Sequence, residues 1–310
     1  MPHVDRKLRW FDEGAPLLRP VLNRLGVGHL LPVDEEYYAC PCCLEAYNRA
    51  AVIAGLLTEE HVPPGSLGGR GLLLTCARCN SNAGRFFDAH AGRRKDAEDF
   101  ASGRVTGRTM PATFHANGIP LRGTAQWTED GIQFFGVPRQ NNPEVQAAYF
   151  RTLDEYVETG DSNPNVSFTV HANYDVTRAR YSWIRSAYLV AFSALGWSYI
   201  FRPIMEPITD QLRNPDTARL RSYMFRDPTA EPSERRILLV DEPDELRCVA
   251  VKFGQHVAFL PGLARPLTWE QLAEAFGRRR RPEDRLSGTL DGKDVPWPRW
   301  PTYLLDKPQS

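Results

Sequence analysis

Six cysteines stand in the chain, at Cys40, Cys42, Cys43, Cys76, Cys79 and Cys248, and five of them fall within residues 40–79. Cys40 with Cys43, and Cys76 with Cys79, make two C-x2-C knuckles separated by 32 residues. One tight turn can present two sulfurs to one ion, so four thiolates at this spacing suit a tetrahedral structural Zn²⁺. Cys42 could replace a neighbour as a ligand, although the spacing favours Cys40 and Cys43. Cys248 lies in a strand-like run, ELRCVAVKF, and reads as a buried apolar residue. A disulfide framework would need an oxidising compartment. The opening segment MPHVDRKLRWFDEG is charged and lacks a signal-peptide core, and the longest apolar stretch, Ala187 to Trp197, is too short to span a bilayer. The expectation is a cytoplasmic protein without a membrane segment.

Between the knuckles lies a second set of reactive types. Glu60-His61 follows an apolar run, then come Val62-Pro63-Pro64, a glycine-rich loop and a short strand from Leu72 to Leu74. The second knuckle leads directly into Asn80 and a helix. A neutral imidazole with a pKa near ~6.5 can take a proton from water at physiological pH. One carboxylate and one amide oxygen can hold a hard divalent ion that still accepts water and phosphate oxygens. His61 as general base, with Glu60 and Asn80 around an ion, would therefore suit phosphodiester hydrolysis. Neighbouring strand residues point to opposite sides, so Glu60 and His61 can share one ion only where the strand ends or bulges.

In order, Glu60-His61-Val62-Pro63-Pro64, Ser66-Leu67-Gly68-Gly69, Leu74-Thr75-Cys76 and Cys79-Asn80-Ser81 resemble the HNH endonuclease family, the ββα-metal nucleases. The resemblance covers roughly residues 38–92. It implies a zinc-stapled ββα-metal module that cuts DNA with Mg²⁺ or Mn²⁺. It also implies His61 as base, Glu60 and Asn80 as ligands of the catalytic ion, and Cys40, Cys43, Cys76 and Cys79 as structural zinc ligands. Many members carry an Asn that braces the loop of the base; the corresponding position here is Gly71.

Arg70, Arg78 and Arg85 surround this centre in sequence and are candidate phosphate contacts. Asn82 and His90 are candidate accessory residues. Arg93-Arg94-Lys95 and the run Arg278 to Arg281 are the basic stretches suited to a nucleic-acid backbone, and either could equally be a solvated face.

The elements expected to position these groups form an α+β protein. An N-terminal helical lead covers 1–35 and a small zinc-stapled module covers 36–100. A linker over 101–118 leads to a larger mixed α+β specificity domain over 119–277, and an Arg/Pro-rich tail covers 278–310. Within the larger domain, a hairpin turns near Glu129-Asp130-Gly131, a long helix runs from Asp175 to Gly196, and Thr268-x-x-Gln271 signals a capping box.

With 310 residues, 42% hydrophobic and 25% charged, the chain can bury a real core. Its 38 Lys+Arg balance 38 Asp+Glu. A globally basic nucleic-acid coat is excluded, whereas a local basic groove is not. The leading expectation is a DNA endonuclease, with a homodimer as one route to double-strand cleavage. The alternative is a zinc-containing nucleic-acid-binding or regulatory protein that does not cut. A further option places a regulatory ligand or protein partner on the second domain.

Overall fold

The computed structural model describes residues 2–103, 107–160, 165–217, 220–221, 224–282, 285–286 and 288–308, without the side chains of residues 2 and 3. The chain divides into two compact units. The first combines residues 1–91 with 177–310, and the second is the intervening stretch 92–176.

The first unit opens with α1 (Pro2–Arg24). Its buried stripe, Trp10, Phe11, Ala15, Leu18 and Val21, follows the helical repeat. Strands β1 (Tyr37–Ala39) and β2 (Ala46–Asn48) form a hairpin whose loop carries the first knuckle. The Asn48 side chain accepts from the Ala51 amide and starts α2 (Arg49–Ile53). A second hairpin, β3 (Leu57–Val62) with β4 (Arg70–Cys76), turns through the Pro63-Pro64 loop. The chain then enters α3 (Ala77–Ala83), a π-helical turn over Gly84–Asp88, and α4 (Ala89–Ala101), which from Gly92 onward belongs to the second unit.

The second unit is a four-stranded antiparallel sheet. Strands β5 (Thr109–Ala116), β6 (Ile119–Thr128) and β7 (Gly131–Gly136) precede α5 (Pro143–Thr159) and β8 (Val166–Val170), in the order β7-β6-β5-β8. Met110, Ala112, Phe114 and Ala116 alternate on the buried face of β5 and pack with Leu121, Ala125 and Tyr149.

The chain returns to the first unit as α6 (Val176–Leu195), followed by α7 (Trp197–Ile200) and α8 (Glu206–Arg213). Every residue of α6 from Tyr181 to Leu195 is buried, so this helix runs through the middle of the core. A five-stranded antiparallel sheet follows. It comprises β9 (Met224–Arg226), β10 (Arg235–Glu242), β11 (Cys248–Phe253) and β12 (His256–Pro261), with a later strand closing the far edge. Helix α9 (Trp269–Arg279) begins at the Thr268–Gln271 capping box. The short pair β13 (Arg280–Arg281) and β14 (Arg285–Leu286) leads to β15 (Asp291–Val295), which pairs with β10. One face of this sheet, through Ile237, Val249 and Val251, joins the core around α6. The other, through Leu238, Val240, Cys248 and Ala250, packs on Leu272, Ala275 and Phe276 of α9. Cys248 is thus a core residue, and burial pushes its thiol pKa up.

The architecture is mixed α+β, and its two compact units are drawn from other stretches of the chain than the expected domains. Strand β5, at Thr109–Ala116, lies within the expected 101–118 linker. The expected 119–277 domain is divided, because its part up to Val176 belongs to the sheet of the second unit and the rest to the first. The cysteine segment is not a free-standing module: the Tyr188 hydroxyl donates to the Pro41 carbonyl at 2.7 Å, and Arg213 Nε donates to the Cys43 carbonyl at 3.1 Å. Two small hairpins bury too little surface alone, so they share the core of α6. The expected tail over 278–310 also supplies core, since Tyr303 is buried and its hydroxyl approaches Gly14 closely enough to exclude any side chain there.

Candidate metal centre and the arginine-lined groove

Cys40, Cys43, Cys76 and Cys79 bring one sulfur each to within 4.8 Å of one another, and all four are buried. The Cys43 and Cys76 sulfurs stand 3.8 Å apart. Tetrahedral Zn–S bonds of about 2.3 Å imply sulfur–sulfur edges of about 3.8 Å. The cluster is therefore capable of coordinating a metal ion and is consistent with a structural zinc site. Backbone amides support it: the Cys76 amide donates to the Cys40 sulfur at 3.3 Å, and the Cys79 amide to the Cys76 sulfur at 3.4 Å. Thiol hydrogen bonding from Cys40, Cys43 and Cys79 draws Cys76 far down, while Cys40, Cys42, Cys43 and Cys76 hold Cys79 far up. Four sulfurs packed this closely cannot all ionise unless a cation joins them. Cys42 is buried beside the four and lies outside their set.

The β3–β4 hairpin has a bulge between Glu60 and His61: Glu60 faces Leu73, His61 faces Gly71, and Leu72 is the extra residue. The two side chains nevertheless part. Glu60 is buried at 3% exposure, and His61 is exposed. Both carboxylate oxygens of Glu60 accept from the guanidinium of Arg185, one of them at 3.2 Å, and the Thr75 hydroxyl donates at 2.8 Å. Burial alone would lower the pKa of Arg185, and Glu60, Cys42 and Asp88 more than reverse this, so the guanidinium stays charged. Asp88, in the π-helical turn, stands 4.0 Å from Arg185 and accepts from the Ser182 hydroxyl at 2.6 Å. Asn80 turns its amide nitrogen to the Thr58 hydroxyl and the Glu59 carbonyl, both at 3.1 Å.

His61 opens instead into a groove of about 920 Å³. Arg6 of α1, Arg70 at the start of β4, Arg235 at the start of β10, and Trp297 and Arg299 beyond β15 line it with His61. Glu59 is its carboxylate, paired with Arg6. A Cβ on Gly71 would fall 1.5 Å from Glu59 Oε1, so the glycine is what admits this carboxylate beside His61.

Compared with family models, with curated proteins and with solved structures, the chain matches none. What the site can do therefore rests on its own geometry.

Of the residues expected from sequence, His61 and Arg70 meet in the groove. Glu60 and Asn80 do not line it. Arg78 pairs with Glu45, and Arg85 lies over the ring of Phe86 at 5.1 Å. Asn82 sits on α3 and His90 at the start of α4, both half-buried and outside the groove lining. Of the basic run at 93–95, Arg94 and Lys95 are matched within their own helix, by Glu98 at 2.8 Å and by Asp99, while Arg93 donates to the Asn173 carbonyl at 3.3 Å; Arg278 pairs with Glu274 at 2.7 Å. Sequence reasoning missed Glu59, Arg6, Arg235, Trp297 and Arg299. For Glu59, its place two residues before His61 on a strand was an available signal, because alternate residues share a face. For the others no local signal existed. Among the described residues, no helix is long and apolar enough to cross a membrane.

Proposed function

We propose that this chain is a DNA phosphodiester hydrolase whose reacting face is the His61 groove, with Cys40, Cys43, Cys76 and Cys79 holding a structural zinc. The observation that carries this reading is an exposed imidazole in a groove lined by Arg6, Arg70, Arg235 and Arg299. Arginines in a concave site fit phosphate oxygens, and the hairpin, the following helix and the cysteine cluster make the surroundings rigid. Held by Cys40, Cys43, Cys76 and Cys79, zinc would join the two knuckles and act as a structural staple.

A catalytic Mg²⁺ or Mn²⁺ held by Glu60 and Asn80 does not fit this arrangement. Glu60 is committed on both oxygens to Arg185 within the core; Asn80 donates from its amide nitrogen to the hairpin, and its Oδ1 alone does not make an ion site. His61 removes a proton from the attacking water, whose oxygen forms the new bond to phosphorus; the arginines neutralise the charge that builds on the phosphate oxygens, and the P–O3′ bond breaks as the leaving 3′ oxygen takes a proton from solvent water. The products are 5′-phosphate and 3′-hydroxyl ends. One site of this kind cuts one strand, so a double-strand break takes a homodimer or two successive events.

The test is nicking of supercoiled plasmid by the zinc-loaded protein, with and without added Mg²⁺. His61→Ala is expected to abolish cutting and leave folding intact; undiminished cutting by that variant would end the assignment. The engagement of Glu60 by Arg185 also favours a second reading, a zinc-containing nucleic-acid-binding or regulatory protein that does not cut. Saturable DNA binding without cleavage under several divalent ions would select it.

A further inference from the structure

We propose that the groove takes a single nucleic-acid strand with an unstacked base, which rests on Trp297 while Arg70, Arg235 and Arg299 hold the flanking phosphates. This inference rests on the reading of the groove as a phosphodiester site. Trp297 lines the same groove as His61 and is only partly buried. Its ring is braced by Phe253, with centroids 5.5 Å apart and planes 87° to one another, and Pro298 beside it is buried. A braced indole opening among arginines offers a flat apolar face where backbone charge is neutralised, the pairing used for sequence-tolerant binding of single strands. Within a duplex the base faces are hidden in the stack, so an aromatic side chain meets one only when the base is unpaired or extruded. A groove of about 920 Å³ is of the size that encloses small ligands, and so suits a short stretch of one strand. Arg70 and Arg299 are exposed and line the same groove as His61, one on the β3–β4 hairpin and one beyond β15, so a strand held by both would lie along the wall that carries His61.

The experiment measures fluorescence-anisotropy binding of three labelled DNAs to the full-length, zinc-loaded protein. They are a mixed-sequence single strand, the matching duplex, and a single strand of equal length made of abasic sites. The single strand is expected to bind about tenfold more tightly than the abasic strand, in keeping with one stacked base, and more tightly than the duplex. Trp297→Ala is expected to remove the advantage of the intact strand and leave abasic binding unchanged, while Trp297→Phe keeps the contact with Phe253 and part of the advantage. Equal affinity for intact and abasic strands, or a duplex bound at least as tightly, overturns the inference while leaving a phosphodiester site in place. No binding of any DNA, or binding unaffected by Arg299→Gln, overturns both.

Discussion

Arg185 and Glu60 lie 125 positions apart and meet as a bidentate ion pair, their side chains 1% and 4% exposed. The pair joins the central helix α6 to the hairpin that bears His61. Two charges withdrawn from water gain from each other only while both are present. Arg185→Met is therefore expected to lower the stability of the zinc-loaded protein by about 3–5 kcal/mol, read from urea unfolding. Glu60→Gln combined with Arg185→Met is expected to recover much of that loss. Two single-variant losses that simply add would show that the residues do not act as a unit.

Zinc removal gives a second outcome. One zinc per chain is expected by elemental analysis of protein purified without chelators, and Cys40→Ser or Cys76→Ser should abolish it. Because the cluster is buried in the core shared with α6, metal loss should lower the melting temperature of the whole first unit. A metal-free protein of unchanged melting temperature would contradict the staple.

The groove arginines should announce themselves through salt. Arg70→Gln and Arg299→Gln are each expected to weaken DNA binding and to reduce the slope of log K against log salt by about 0.7–0.9, one phosphate contact apiece. Arg78→Gln, whose partner is Glu45, should leave the slope unchanged. A slope identical in all three variants would place the DNA elsewhere.

Glu59 brings negative charge into the same groove and pairs with Arg6. Glu59→Gln is expected to strengthen DNA binding several-fold at low salt, since it removes repulsion of phosphate. Gly71→Ala should act in the same direction, because its methyl group would displace the Glu59 carboxylate. Weaker binding in both variants would mean that Glu59 helps hold the ligand.

One acid-dependent effect follows from Asp227, whose pKa the Lys252 ammonium and the Thr229 hydroxyl lower from 3.8 to about 2. A depressed carboxylate pKa contributes stability that is present above the unfolded value and is lost as pH falls through the folded one. The advantage of the wild type over Asp227→Asn should therefore be full at pH 5 and shrink between pH 4 and pH 2, measured by urea midpoints. A constant difference would remove Asp227 from the acid response.

The sequence alone determined what is local. Two C-x2-C knuckles assemble as one cysteine cluster because each spacing is satisfied by one turn. The Thr268–Gln271 capping box and the turn at Glu129 and Asp130 are each written within a few residues. Tertiary structure decided which way Glu60 points, since the bulge at Leu72 permits either outcome and only a charged partner inside α6 makes an inward carboxylate stable. It also decided that Arg6, Arg235, Trp297 and Arg299 stand around His61. These residues are scattered over nearly the whole chain, and only the packing of α1, the β3–β4 hairpin and the five-stranded sheet on one core brings them together.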